Sequence, residues 1–258
     1  MLPAERRERI LNALQATRFL SVAQLARRTG SSESTIRRDL AELEREGLIV
    51  RTRGGAGIAT GAGGFSGEMS KAVRSQHRAE QKAAIGRAAA RLVEDVGTVI
   101  LDAGTTTLEV ARALNPSQKL RVVTDSLDIA WELRDRENIT VILSGGILRK
   151  GAYNLYGSMA EQAMAGLHAQ LCVMGCSGLT LEEGLTKHDI EAEFVRKRMV
   201  EASQRLVVVA DSSKLGVTGL VSICALEEID VLVTDKEIPA EFQQMLEEHG
   251  IQVIIADE

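Results

Sequence analysis

Arginines 37, 38, 51 and 53, with the hydroxyls of Ser32, Ser34 and Thr35, fall within the stretch SESTIRRDLAELEREGLIVRTRGGA at residues 32–56. Guanidinium and hydroxyl groups at this density suit guanine edges and phosphate oxygens, so the chemistry expected is contact with double-stranded DNA. On a helix opening at Ser31-Ser32 and running to about Arg45, Ile36, Leu40 and Leu43 share one face. At 100° per residue Ser34, Arg38, Ala41 and Arg45 lie opposite, Thr35 and Glu42 at the edge and Arg37 on the flank. Ser34, Thr35 and Arg38 are therefore expected at base edges or phosphates. Arg37 is expected on phosphate, and Arg51 and Arg53 on backbone or minor groove.

A second chemistry recurs further along. LDAGTTT (Asp102, Gly104, Thr105, Thr106, Thr107), TDS (Thr124, Asp125, Ser126), SGG (Gly145, Gly146) and GCSG (Gly175, Ser177) each follow a short apolar run. Free N–H groups and hydroxyls at a helix start bind anions, above all phosphate. Lys214 in DSSK and Lys187 in GLTKHD are candidate point-charge partners for that anion.

Positioning these groups requires two kinds of scaffold. Ile10, Leu11 and Leu14 mark a first helix within 5–14. Ser21 is expected to cap a second helix carrying Val22, Leu25 and Ala26 and ended by Gly30. The arginine helix follows, ended by Gly47, and LIVRTR with GGA gives a strand and turn, which together make a winged helix-turn-helix over 1–57. Residues 54–67 hold seven glycines in fourteen positions, so a flexible linker is expected over 58–74. From 75 to 258, after a helix at 79–93, strands are expected at 99–101, 121–123, 140–143, 171–174, 206–209, 231–233 and 252–255. They are Val- and Ile-rich and mostly separated by helical segments, so the class is α/β with a largely parallel sheet. Ligands of such sheets bind at the carboxyl ends of the strands, where these loops lie.

Charge divides the same way. Residues 1–56 hold 11 Arg and 7 acidic side chains, and the remainder 20 basic against 29 acidic, within a net charge of −5. A basic head on an acidic body fits DNA contact by the head alone. No apolar run reaches membrane-spanning length and no apolar signal core precedes the first helix. With three cysteines in no disulfide pattern, this points to a reducing cytoplasm. His77, His168, His188 and His249 are scattered and form no metal-ligand spacing with Cys172 or Cys176, so neither metal nor cofactor is expected.

The segment Ser32, Thr35, Ile36, Arg37, Arg38, Asp39, Leu40, Leu43, then Arg51, Arg53, Gly54, Gly55 and Ala56, resembles the DNA-binding signature of the DeoR family of bacterial transcription regulators. Beyond it QHRAEQKAAIGRAAARLVEDVGTVILDAGTTT, TDSLDIA, LSGG, YGSMAEQA, GCSGL, GLT, ADSSKLG and EIDVLVTD resemble that family's effector domain, in order. The resemblance implies a fold similar to sugar-phosphate isomerases and CoA transferases. It also implies a phosphorylated sugar or sugar-alcohol effector, and most often repression of a carbohydrate operon. Three places depart from the family: Arg53 replaces a common His, Asp125 a common Asn, and Cys176-Ser177 a common Ala-Asp.

The function expected is thus a ligand-responsive regulator with operator DNA, a sugar phosphate and further copies of itself (dimer or tetramer) as partners. Two alternatives compete with it. One is a sugar-phosphate isomerase-like enzyme with an accessory head, using Asp102, Asp125, His188, Asp189 and Glu191 as acid-base groups. The other is a sensor acting through another protein, which would bind no DNA.

Overall fold

The computed structural model describes residues 2–17, 19–45, 48–52, 54–58 and 71–257. The Gly47 stop, the Arg53 contact and the centre of the glycine-rich segment, 59–70, lie outside the described residues. Two compact units divide the chain, Met1–His77 and Arg78–Glu258.

The first unit contains α1 (Pro3–Thr17), β1 (Phe19–Ser21), α2 (Val22–Thr29), α3 (Glu33–Arg45), β2 (Ile49–Thr52), β3 (Gly55–Ile58) and α4 (Lys71–Gln76). Ser21 begins α2 with a reciprocal capping box: its hydroxyl accepts the Gln24 N–H at 3.2 Å, and its own N–H donates to the Gln24 amide oxygen at 2.8 Å. Gly30 ends α2 at φ 64°, a left-handed position that favours glycine. Ile10, Leu14, Leu25, Ile36, Leu40 and Leu43 are buried together, as their spacing requires. The wing is a three-stranded antiparallel sheet in the order β1-β3-β2, to which β1 adds a strand that the sequence pattern did not signal.

The expected linker, 58–74, is too long at both ends. Ile58 closes β3, and α4 begins at Lys71. Val73 is fully buried in the head's own core, and His77 Nε2 lies 2.8 Å from Asn12 Oδ1. An apolar anchor at Val73 outweighs the glycine-rich composition beside it, and the unit boundary falls at His77–Arg78 rather than in the glycines.

In the second unit the strands are β4 (Thr98–Leu101), β5 (Leu120–Thr124), β6 (Ile139–Leu143), β7 (Ile147–Arg149), β8 (Asn154–Tyr156), β9 (Leu171–Gly175), β10 (Gly178–Thr180), β11 (Gly184–Lys187), β12 (Leu206–Val209), β13 (Val221–Cys224), β14 (Val231–Thr234) and β15 (Gln252–Ile255). The helices are α5 (Ala79–Arg91), α6 (Thr105–Ala113), α7 (Leu127–Leu133), α8 (Ser158–Met164), α9 (Glu193–Glu201) and α10 (Ala240–Glu248). Seven strands, all expected from the sequence, pair in parallel in the order β15-β14-β12-β9-β4-β5-β6.

Period-two side-chain alternation divides each inner strand between two cores. Val207 and Val209 join Val99, Leu101 and Val173 under α5, α6 and α7, while Leu206 and Val208 join Ile100, Cys172 and Met174 under α8, α9 and α10. Apolar residues on both faces explain why the strands read as continuous Val/Ile runs. Two smaller antiparallel elements, β10-β11-β13 and the β7-β8 hairpin, were not expected; they are three or four residues long and carry no alternating run.

Strand order reverses between β4 and β9: the chain runs outward from β4 through β5 and β6, then returns to β9 on the other side. The carboxyl ends of β4 and β9 are therefore the switch-point crevice of the sheet. Helix α6, which begins there, is held close by Gly86 on α5, where a Cβ would come within 2.6 Å of the Glu109 backbone. Gly86→Ala is expected to force the two helices apart at a cost of about 1–3 kcal/mol. Thermal denaturation should show a fall of several degrees, and an unchanged midpoint would mean the pair can slide.

Candidate functional site

In the head, Ser32 starts α3: its hydroxyl accepts the Thr35 N–H at 3.2 Å and lies 2.9 Å from Ser34 Oγ and 2.8 Å from Thr35 Oγ1. This bonding makes Ser32 a cap, positioning the helix rather than reading a base. Ser34, Arg37 and Arg38 are exposed and Thr35 is half-buried. Arg37 is paired to Glu33 at 3.1 Å one turn back, whereas Arg38 has no hydrogen-bond or ion-pair partner among the described residues. Arg38 is thus the free fork on the outward face. Arg51 leans on Glu44, its guanidinium 3.7 Å from the carboxylate.

Asp39, part of the same RRDL run, does a different job. It is buried and accepts a two-pronged bond from Arg6 of α1, at 2.5 Å to Nε and 3.1 Å to Nη2. That bond raises the Arg6 guanidinium above its ordinary value. It latches α3 to α1, a role that residue spacing could not reveal because 33 positions separate the partners.

In the second unit, most of the residues expected to bind effector meet at the switch point. Helix α6 starts at Gly104 with no side-chain cap, so the first-turn N–H groups of Thr105–Thr107 have no helical partner. Gly175, at the end of β9, lies beside them: a Cβ there would sit 3.9 Å from the Thr107 methyl and 4.0 Å from Lys187 Nζ. Asp102 is fully buried with both oxygens engaged, Oδ1 by Arg196 Nε at 2.9 Å, Oδ2 by Lys187 Nζ at 2.7 Å and Gly175 N at 3.3 Å. It organises the cations rather than presenting a free carboxylate.

The ion-pair chain continues outward. Arg196 also binds both oxygens of Asp189, and Arg149 of β7 reaches Asp189 at 3.2 Å and Glu191 at 3.6 Å. Burial alone would push the Asp189 carboxyl up, but Arg196, Lys187 and Arg149 hold it below the ordinary range. Arg196 escaped the sequence reading because it is a buried cation on the apolar face of α9, between Val195 and Met199.

Thr124 and Ser126 shape the β5 loop. Thr124 Oγ1 donates to the Leu101 carbonyl at 2.7 Å, and Ser126 caps α7. Asp125 between them is fully buried, and one oxygen accepts the Ala103 N–H at 3.0 Å. Burial and the nearby Asp102 charge push its carboxyl up to about 7, against the pull of Arg196 and Lys187.

Gly145 and Gly146 take φ of 68° and 111° to turn β6 into β7. A Cβ at Gly146 would come within 2.5 Å of the Tyr156 carbonyl, so hairpin geometry accounts for the SGG pattern without a ligand. Ser177 donates its N–H to the Thr186 carbonyl at 2.9 Å.

Lys214 is half-buried in the loop begun by Asp211, whose side chain caps that turn. Burial would raise Asp211, yet Lys214, Ser213, Lys82 and Arg78 hold it low. Lys187 and Lys214 pull the Cys176 thiol down, but burial dominates and pushes it up to about 12. Of the five acid-base candidates of the isomerase alternative, Asp102, Asp189 and Glu191 are paired to cations, while Asp125 keeps one oxygen without a hydrogen-bond partner.

Comparison with known proteins follows the same division. Residues 6–61 match the DeoR-like helix-turn-helix domain and residues 77–236 the DeoR C-terminal sensor domain. The chain is 36% identical to an HTH-type transcriptional regulator GolR of Listeria innocua over 100% of both chains. It is 38% identical to an HTH-type transcriptional regulator GlpR of Haloferax volcanii over 98% of both. A putative aga operon transcriptional repressor of Escherichia coli O157:H7 is 34% identical over 99% of this chain and 94% of that one. Ribose 5-phosphate isomerase A of Neisseria gonorrhoeae aligns over 53% of each chain at 18% identity and a TM-score of 0.39, too loose a likeness to bear on ligand. The relatives are regulators, not enzymes, and their match extends through both units. The chain belongs to the DeoR family of DNA-binding transcriptional regulators.

Proposed function

We propose that the chain represses a carbohydrate-utilisation operon and releases or retains its operator according to a phosphorylated sugar or sugar alcohol bound at the β4–β9 switch point. The observation that carries this is the uncapped start of α6 facing Gly175 and Lys187 at the carboxyl ends of two adjacent parallel strands. The phosphate lies against the Thr105–Thr107 N–H groups and the Thr106 hydroxyl, with Lys187 and Lys214 supplying charge. A coupling of about 1–3 kcal/mol between this site and the head suffices for a useful switch.

One short recognition helix offers modest affinity, so heads act in pairs on half-sites about one helical turn, or a multiple of it, apart. The apolar side chains Ile142, Leu143, Ile147 and Leu148, exposed on and beside the edge strand β6, support self-association of the second unit.

The test is a thermal-shift screen of sugar and sugar-alcohol phosphates, followed by operator binding with and without the best of them. A ligand at 100 times its Kd raises stability by about 2.7 kcal/mol. Thr106→Val and Lys214→Ala are expected to bind operator DNA as the unmodified protein does and to lose most of the effector response. A full response in both variants would move the site elsewhere.

A further inference from the structure

The charges around the effector crevice are paired unevenly. Arg196 bonds to Asp102 and Asp189, Lys187 to Asp102, and Arg149 pairs with Asp189 and Glu191. Each of those acids has a cation bonded to it, and Asp125 has none. Asp125 is fully buried; its side chain has one hydrogen bond among the described residues, from the Ala103 N–H to Oδ1 at 3.0 Å, and Oδ2 has no partner. A carboxylate taken out of water without a cation of its own is costly to keep ionised, and such a group takes a proton instead.

The groups facing Asp125 come from several elements. Burial and Asp102, at the end of β4, push the carboxyl up, while Arg196 of α9 and Lys187 of β11 pull it down, leaving it at about 7. From β9 it faces the Cys172 thiol, which burial holds well above its ordinary value. The neighbours on β8 and beside β6, Leu155 and Ser144, bring backbone N–H groups to this strand end and no charge.

We propose that Asp125 links the effector site to pH: it takes up a proton from solvent as a phosphate-type anion binds at the start of α6. The inference rests on the effector-site reading above and adds the regulation of that site. Asp125 and the anion share two neighbours. The Ala103 N–H that Asp125 accepts belongs to the turn leading into α6, just ahead of Thr105. Lys187, whose charge favours ionised Asp125, is also the lysine offered to the anion. An anion there adds negative charge and draws on the same lysine, and both effects disfavour the ionised carboxyl. Asp102 has two cations bonded to it, so the proton goes to Asp125. No contact between ligand and Asp125 is required, because the coupling is electrostatic within a buried cluster. Effector affinity, and with it the response at the operator, falls as pH rises above about 7.

The first measurement needs no ligand. A carboxyl raised from its ordinary 3.8 to about 7 holds a proton in the folded chain that the unfolded chain has released. Stability then falls as pH rises between those two values and levels off above them. The thermal midpoint of the unmodified protein is expected to fall relative to that of Asp125→Asn from about pH 5 to 7, and to run parallel to it above. Carbon-13 NMR of labelled aspartate carboxyls follows the same titration in the unmodified protein and does not depend on the variant folding. No aspartate carboxyl titrating near neutrality would overturn the proposal.

The second measurement is calorimetry of the full-length protein with inorganic sulfate, a phosphate-type anion whose charge is constant over this range. Sulfate affinity is expected to fall by up to about tenfold per pH unit above neutrality, as one linked proton requires, and to stay level in Asp125→Asn. Runs at about pH 8 in buffers of different ionisation heat are expected to show uptake approaching one proton per sulfate in the unmodified protein alone. A pH-independent affinity, or the same proton uptake in Asp125→Asn, overturns the link. Should sulfate, inorganic phosphate and sugar phosphates all fail to bind the unmodified protein, the effector-site reading fails and the link with it, while the aspartate titration stands by itself.

Discussion

Arg38→Ala is expected to weaken operator binding by roughly 10–100-fold per head, and by about the square of that where two heads act together, with the head still folded. The size is that of a bidentate guanidinium–guanine contact, which we propose for Arg38 because it is exposed and has no partner among the described residues. The fold survives because the residues that hold α3 are others. Ile36, Leu40 and Leu43 bury its inner face, Ser32 caps its start, and Asp39 latches it to Arg6. Mobility-shift titration on genomic fragments captured by the unmodified protein measures the affinity, and circular dichroism checks the fold. Unimpaired binding by the folded variant would remove α3 from the groove. Loss of the fold itself would mean that Arg38 supports the head.

Asp102→Ala is expected to destabilise the effector unit by about 3–5 kcal/mol, because it strands two cations in the interior. Lys187 loses the carboxylate 2.7 Å away, and Arg196 keeps only Asp189. For a unit of this size that corresponds to a fall in melting temperature of roughly 6–20 °C. The head has its own core and is expected to melt separately and little changed. Calorimetry of the full chain resolves the two transitions, and an unshifted second transition would show that the Lys187–Asp102–Arg196 cluster contributes nothing to the fold. The result bears on the proposed function, in which a phosphate at the α6 start would meet cations that Asp102 aligns and partly neutralises. On the effector site proposed above, Asp102→Ala is also expected to weaken effector binding, because Asp102 holds Lys187 in place.

Several elements were legible because local pattern and tertiary fate coincide. A strand flanked by helices on both faces must be apolar at every position, so LVVV at β12 and TVIL at β4 announce themselves without knowledge of their neighbours. The α2 cap and the α3 stripe are likewise set by residues within one or two turns. Residues 71–74 show where composition misled. Glycine density points to a linker, but one apolar residue, Val73, is buried in the head's core as part of α4. The three-residue strands of the β7–β8 hairpin and of the β10 sheet carry too few side chains to show a period at all.

The same distinction runs through the sites. Residue type and order along the chain determined that a basic helix-turn-helix precedes a parallel α/β unit. They also determined that glycine and threonine turns follow its strands, and that Arg38 faces outward, because each depends on contacts between near neighbours in sequence. Tertiary structure alone decided which groups remain free to bind. Arg37 went to Glu33, Ser32 to a cap, Asp102 to Lys187 and Arg196, and Gly145 and Gly146 to a turn, while Asp125 and Asn154 were left with unpaired atoms. The pairings of Asp102 with Lys187 and Arg196 join residues 85 and 94 positions apart, whereas those of Arg37 and Ser32 lie within one helical turn. Coulomb attraction and burial act through space, so only the folded chain sets which distant charges meet and which polar atoms stay unpaired.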